Sequence, residues 1–295
     1  MVYQATHITR YRYQSPVSQS QSEARLTPRT FPGQTLHEFR IQIQPEPAVL
    51  EHRQDYFGND VTSFAVLKTH EQFSATATSI VEVKARPWQP IPTISWEATR
   101  DRVAGHAEGE PDAALLDPYE FVFDSPYVAA GPDLGDYARP SFPPGRPVAD
   151  AVTELSHRIH AEFRYAPKST SIDMPLLEVL GNRCGVCQDF AHIMIGALRS
   201  LRLPARYVSG YLRSGAAYLG ADASHAWVSV YIPGSGWMDF DPTNDVRPSD
   251  GHVTLGWGRD YGDVTPVKGI ALGGGEQIVE VEVRVEAINF PVTFG

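Results

Sequence analysis

What most narrows the fold of this chain is a change of hydrophobic period along it. In the first part, short runs at His7–Tyr13, Glu38–Gln44, Val61–Leu67 and Ser79–Lys84 are rich in β-branched and aromatic residues and partly alternate, as half-buried strands do. Turn chemistry separates them at Ser15-Pro16, Pro32-Gly33, Pro45-Glu46-Pro47 and Gly58-Asn59. From Pro147 the period turns helical. Val148, Val152, Leu155, Ile159 and Phe163 recur at three- and four-residue steps, and Pro175–Leu180 reads as a short helix. Cys187–Leu201 carries a second stripe through Phe190, Met194, Ala197, Leu198 and Leu201, and Leu203-Pro204 stops it. Strand patterns return at Ala205–Arg213, Ala226–Ile232 and Trp237–Phe240, and Gln277–Glu286 alternates valine or isoleucine with charge. Strands and helices kept in separate runs imply an α+β fold.

The same pattern divides the chain into three. Residues 1–86 read as an antiparallel β-sandwich, and 147–295 as a core of helices packed on an antiparallel sheet. Between them, 87–146 is rich in proline, yet Leu115, Leu116, Tyr119, Phe121, Phe123 and Tyr127 are too apolar for a free linker. That stretch is expected to carry one or two short helices and to pack on the core. With 42% hydrophobic and 20% charged residues, the chain reads as folded rather than disordered. The net charge of −10 argues against nucleic acid or anionic lipid as partner. Two cysteines, Cys184 and Cys187, make no disulfide framework. With no apolar run long enough to span a membrane and no signal-peptide pattern, a cytoplasmic location is expected.

Three short stretches carry chemistry. Cys187 follows a breaker-rich loop containing Gly181, Asn182 and Gly185 and opens the helical stripe. A thiol at a helix N-terminus meets unpaired N–H groups and the positive end of the dipole, which favour the thiolate and can stabilise an oxyanion. A buried, inert thiol is the commoner fate of a cysteine, so partners decide the matter. His225 opens a strand between Ser224 and Ala226, where an imidazole can face a cleft and move a proton. Asp241 precedes Pro242; it is either a turn-initiating residue or the group that orients the imidazole. Register discriminates. A two-residue hairpin loop would turn Asp241 away from His225, whereas an odd loop pairing Tyr231 with Trp237 puts both on one face. An odd loop or a bulge is therefore expected. Asp239 would share that face but lie farther from His225.

The stretches CGVCQDFAH, LRLPARYVSGYL and SHAWVSVYIPGSGWMDFDPTND resemble the core of the bacterial transglutaminase-like family. HITRYRY and DYFGND resemble the β-domain that precedes this core in many bacterial members. The resemblance implies a papain-like core in which Cys187 is the nucleophile, His225 the base and acid, and Asp241 the orienter. It also implies a peptide, protein or small-amide substrate as acyl donor, a thioester intermediate on the cysteine, water or an amine as acceptor, and no cofactor. The competing expectation is a catalytically silent peptide-binding or scaffolding module of the same fold.

Other motifs carry less. Cys184-x-x-Cys187 lacks the strand of a redox motif and the further ligands of a zinc site; Cys184 reads as a loop thiol open to oxidation. Asp189 is expected to anchor the helix start, and His192 to act as a structural hydrogen-bonder. Arg206, Tyr207, Tyr211, Trp227 and Trp237 line either the cleft or the core. Gly273-Gly274-Gly275 is no phosphate loop, because no Lys-Ser/Thr or helix follows. Asp133, Asp136 and Glu276 are too scattered to form a calcium loop.

Overall fold

A computed structural model describes residues 1–85, 93–105, 113–167, 174–215 and 218–290. Pro87, Pro90, Pro92, Pro111 and the Lys168-Ser169-Thr170 loop lie outside the described residues, as does the expected boundary at 86/87. The chain begins with β1 (Val2–Ala24), β2 (Gln34–Gln44), β3 (Val49–Gln54), β4 (Asp60–Val66) and β5 (His70–Val83). The connection carries α1 (Trp96–Gly105), α2 (Ala113–Glu120) and α3 (Pro132–Ala138). Then come α4 (Val148–Glu162), β6 (Arg164–Tyr165), α5 (Leu176–Asn182), β7 (Cys184–Gly185) and α6 (Cys187–Ser200). The chain continues through β8 (Ala205–Leu212), β9 (His225–Ile232), β10 (Gly236–Phe240), β11 (His252–Gly258), β12 (Val267–Gly273) and β13 (Gln277–Ala287). The fold is α+β.

β1 is the spine of the first sheet. Tyr3, Ala5, His7 and Thr9 are buried in alternation along it. β5 and then β4 pair antiparallel with one edge of β1, and β13 and then β12 pair with the other. Around Pro16 the register shifts on both edges, between Arg12 and Val17 against β5 and between Val17 and Gln19 against β12, which accommodates a proline that has no N–H to donate. The glycine run lies opposite: Gly274 N–H donates to Pro16 O, and Ser15 N–H to Gly274 O. A Cβ on Gly273, at φ +98, would sit 2.6 Å from Pro16 O. Three glycines with positive φ therefore let the sheet bend. The arms on either side of the bend share one core of Ala24, Leu26, Ile43, Phe64, Val66 and Phe73. A single curled sheet thus makes the sandwich.

β12 and β13 depart from the expected division, in which 147–295 formed one unit. The alternating tail pairs with β1, and its Val283 and Val285 pack with Tyr3 and Ala5. Period two shows that a strand has a buried face, but not which strand lies beside it.

The second sheet has the order β10-β9-β8-β11. α6 packs on β8 and β9, with α3, α4 and α5 around it. On the other side, Tyr211, Val253 and Leu255 pack against the first sheet. Both faces are covered, so every residue of β8 is buried. The connection carries three short α-helices among the described residues where one or two were expected, and it buries Leu115, Phe121 and Val128. Among the described residues, no helix is long and apolar enough to cross a membrane.

Candidate active site

α6 starts at Cys187 because its entry is built for a sharp turn. Val186 N–H donates to Asp189 Oδ2 at 2.8 Å, the anchoring expected of Asp189. A Cβ on Gly185 would lie 2.5 Å from that same oxygen, so glycine alone fits. The first intrahelical bond of α6 runs from Phe190 N–H to Val186 O, which leaves the N–H groups of Cys187, Gln188 and Asp189 ahead of it. Cys187 is 9% exposed. Its thiol points to Ser224 O at 4.0 Å, next to His225.

His225 opens β9, and β9 meets β10 through the three-residue loop Pro233-Gly234-Ser235. Trp237 pairs with Tyr231, the odd register expected from the sequence, which carries Asp241 to the His225 face. His225 Nε2–H donates to Asp241 Oδ2 at 2.8 Å, with both side chains fully buried. That leaves Nδ1 as the nitrogen available to Cys187. Burial opposes charge on His225, but the Asp241 carboxylate and then Cys187 outweigh it and push its pKa up to about 10. Burial likewise opposes charge on Asp241, but the His225 and His252 imidazoles hold its carboxyl well below the usual range.

The structure adds residues that sequence reasoning missed. Asn244 Nδ2 donates to Asp241 Oδ2 at 2.9 Å, and its Oδ1 accepts from Leu219 N–H at 2.8 Å, tying the loop before His225 to the carboxylate. His252 lies 3.3 Å from Asp241 Oδ2. Burial, with Cys187 and Asp241 adding, pushes Tyr165 up to about 12, so its phenol stays protonated beside the site. Gly220, at φ +83, packs where a Cβ would be 3.1 Å from Tyr165 Oη and 3.3 Å from His225 Nδ1. Asn244 is three residues from Asp241 and was within reach of a local reading. His252 gave no local signal, because β11 joins the site only through its pairing with β8.

His192 is no second base. Burial lowers its pKa to about 4, and its neutral Nε2 accepts from Tyr261 N–H at 3.2 Å between the rings of Tyr127 and Tyr207. Cys184 lies in β7, 3.5 Å from an Arg164 guanidinium nitrogen. Among the described residues, no cluster of three or more His, Cys, Asp or Glu is placed to hold a metal ion.

Residues 3–82 match the bacterial transglutaminase-like N-terminal region, and residues 137–242 match the transglutaminase-like superfamily core. An uncharacterized protein of Mycobacterium tuberculosis is 36% identical over 301 residues, covering 98% of this chain and 93% of its own. A second, from Mycobacterium leprae, is 34% identical over 284 residues, covering 95% and 96%. A protein-glutamine gamma-glutamyltransferase of Pseudomonas aeruginosa is 33% identical over 111 residues, 35% of this chain and 17% of that protein. Among solved structures, a candidate cysteine protease from Cytophaga hutchinsonii superposes with a TM-score of 0.76 over 99% of this chain and 92% of its own. At 22% identity it shares the fold.

Proposed function

The chain belongs to the transglutaminase-like superfamily, with its bacterial N-terminal region, and from that premise we propose that it is a cysteine-dependent acyl-transfer enzyme acting on amide or peptide bonds. The observation that carries the reading is the His225–Asp241 bond of 2.8 Å, buried beside a thiol at a helix N-terminus. In this mechanism His225 Nδ1 takes the proton of Cys187, and Asp241 stabilises the resulting imidazolium. The thiolate attacks the carbonyl carbon, and N–H groups at the start of α6, that of Cys187 among them, receive the oxyanion. As the C–N bond breaks, His225 returns its proton to the leaving amine, and a thioester on Cys187 remains. Water then yields an acid, or a second amine yields a new amide.

The acceptor decides between peptidase or amidase and transferase. The Pseudomonas relative, named for transfer at protein glutamine, supports a carboxamide donor. The N-terminal sheet and the catalytic core are proposed as two cooperating units that meet along β11, with the C-terminal strands belonging to the first. The reading is tested by the reaction of Cys187 with iodoacetamide at about pH 6, where an ordinary thiol is almost wholly protonated. Wild type is expected to label quickly, and His225→Ala slowly. A thiol indifferent to His225 would favour the silent binding module.

A further inference from the structure

Asp241 accepts five hydrogen bonds. Its Oδ1 takes Thr243 N–H at 2.9 Å and Asn244 N–H at 3.2 Å, bonds that any turn aspartate makes. Its Oδ2 takes His225 Nε2, Asn244 Nδ2 and His252 Nε2. The last comes from a different strand and fills no local need. His252 is 4% exposed, set edge-on to Trp227 at 5.4 Å and against Tyr218 at 5.6 Å. A carboxylate offers only acceptor sites, so the contact requires the proton on Nε2.

β11 is an edge strand, and side chains close its outer edge. Gln34 Nε2 donates to Thr254 O at 2.7 Å, while Gln34 Oε1 accepts from Thr254 N–H at 2.8 Å. Asn59 Nδ2 donates to Trp257 O at 2.9 Å, and its Oδ1 accepts from Trp257 N–H at 3.0 Å. Each amide supplies the donor and acceptor that a neighbouring strand would supply. Both residues are 1% exposed. Asp55 holds Asn59 through its N–H at 2.9 Å and its Nδ2 at 3.1 Å, so the Asp55–Asp60 turn serves to present this amide. A Cβ on Gly256 would lie 2.6 Å from Asn59 Oδ1, so β11 has glycine where the amide enters.

Building on the reading of the site above, we propose that His252 is a positioning residue that holds Asp241 toward His225, and that the N-terminal sheet sets its place by bracketing β11 with Gln34 and Asn59. The sheet thereby reaches the reacting thiol along one path: amide bracket, β11, His252, Asp241, His225. The titratable and charged groups around the pair are Cys187 on α6, Tyr165 on β6, Tyr218 before β9, and Asp239 and Lys84 beside His252.

The experiment is the pH profile of Cys187 alkylation by iodoacetamide in wild type, His225→Ala, His252→Leu, His252→Gln, Asn59→Ala and the Asn59→Ala/His252→Leu double variant, with thermal unfolding recorded for each. His252→Leu is expected to slow labelling at about pH 6 by about 10-fold, the loss of one charge-assisted hydrogen bond. His252→Gln, which keeps an N–H at that position, should recover most of the rate. Asn59→Ala should slow labelling in the same direction and add little to His252→Leu. A His252→Leu rate equal to wild type would overturn the inference, as would equal losses in the Leu and Gln variants that follow their unfolding temperatures. If His225→Ala itself changes nothing, the reading of the site fails instead, a distinct result.

Discussion

The two larger sheets of this molecule bury themselves in opposite ways. In the four-stranded sheet, β8 is buried at every position and β9 at all but Tyr231, because helices cover one face and the first sheet covers part of the other. In the curled sheet burial alternates along β5, and β13 leaves Ile278, Val279 and Val281 exposed. His225 and His252 open strands of the closed sheet, where packing on both sides gives them one arrangement. The curled sheet braces that arrangement from outside through Gln34, Asn59 and His7. A rigid holder and a tolerant brace make different demands on sequence, and substitution measures the difference.

The largest effect is expected at Trp227, fully buried in the closed sheet between His252 and Gly210, where a Cβ on the glycine would lie 2.3 Å from the indole. Trp227→Ala should cost about 3–5 kcal/mol in denaturant unfolding. A cost near that of a surface substitution would erase the contrast between the sheets.

The seam between the sheets should give a smaller, pH-dependent effect. His7, in β1, is held neutral by burial, its pKa lowered to about 4, with Tyr211 Oη at 3.1 Å from Nδ1 and Thr9 Oγ1 at 2.9 Å from Nε2. The folded state thus binds its proton less readily than the unfolded chain does. Its contribution is complete above the ordinary histidine value and is lost as pH falls toward 4. His192 behaves alike. His225 has the opposite sign: its contribution is complete below the ordinary value and is lost as pH rises toward about 10. His7→Gln should therefore flatten the acid limb of the stability profile, removing a dependence on the order of 2–3 kcal/mol. An unchanged acid limb would remove His7 from the seam.

The smallest effect is expected on the brace's outer strand. Val281→Ala, at a position 43% exposed, should change stability by no more than about 0.5 kcal/mol. A loss beyond about 1 kcal/mol in the same unfolding assay would mean that β13 is covered in solution.

What could be read from the sequence follows from the range of each signal. The start of α6 was legible because breakers, glycine and a helical stripe lie within a few residues of Cys187. The His225–Asp241 register was legible because one hairpin loop decides it. β11 was missed: its glycines, Gly256 and Gly258, weaken the strand pattern, and they are explained only by Asn59 and Asp263, which a Cβ at those positions would strike. His252 went with it. The use of the glycine run as the bend of a sheet depends on Pro16, more than two hundred residues away, and was not legible locally.

The central claim is that Cys187 and His225 act as one unit. Its most direct measurement is intact-mass labelling with iodoacetamide from about pH 5 to 9, comparing wild type with Cys187→Ser, Cys184→Ser and His225→Ala. The account expects rapid labelling at about pH 6 that survives Cys184→Ser, disappears in Cys187→Ser and slows at least ~10-fold in His225→Ala. Slow labelling of both cysteines alike, rising only near the pKa of a free thiol and indifferent to His225, would contradict it.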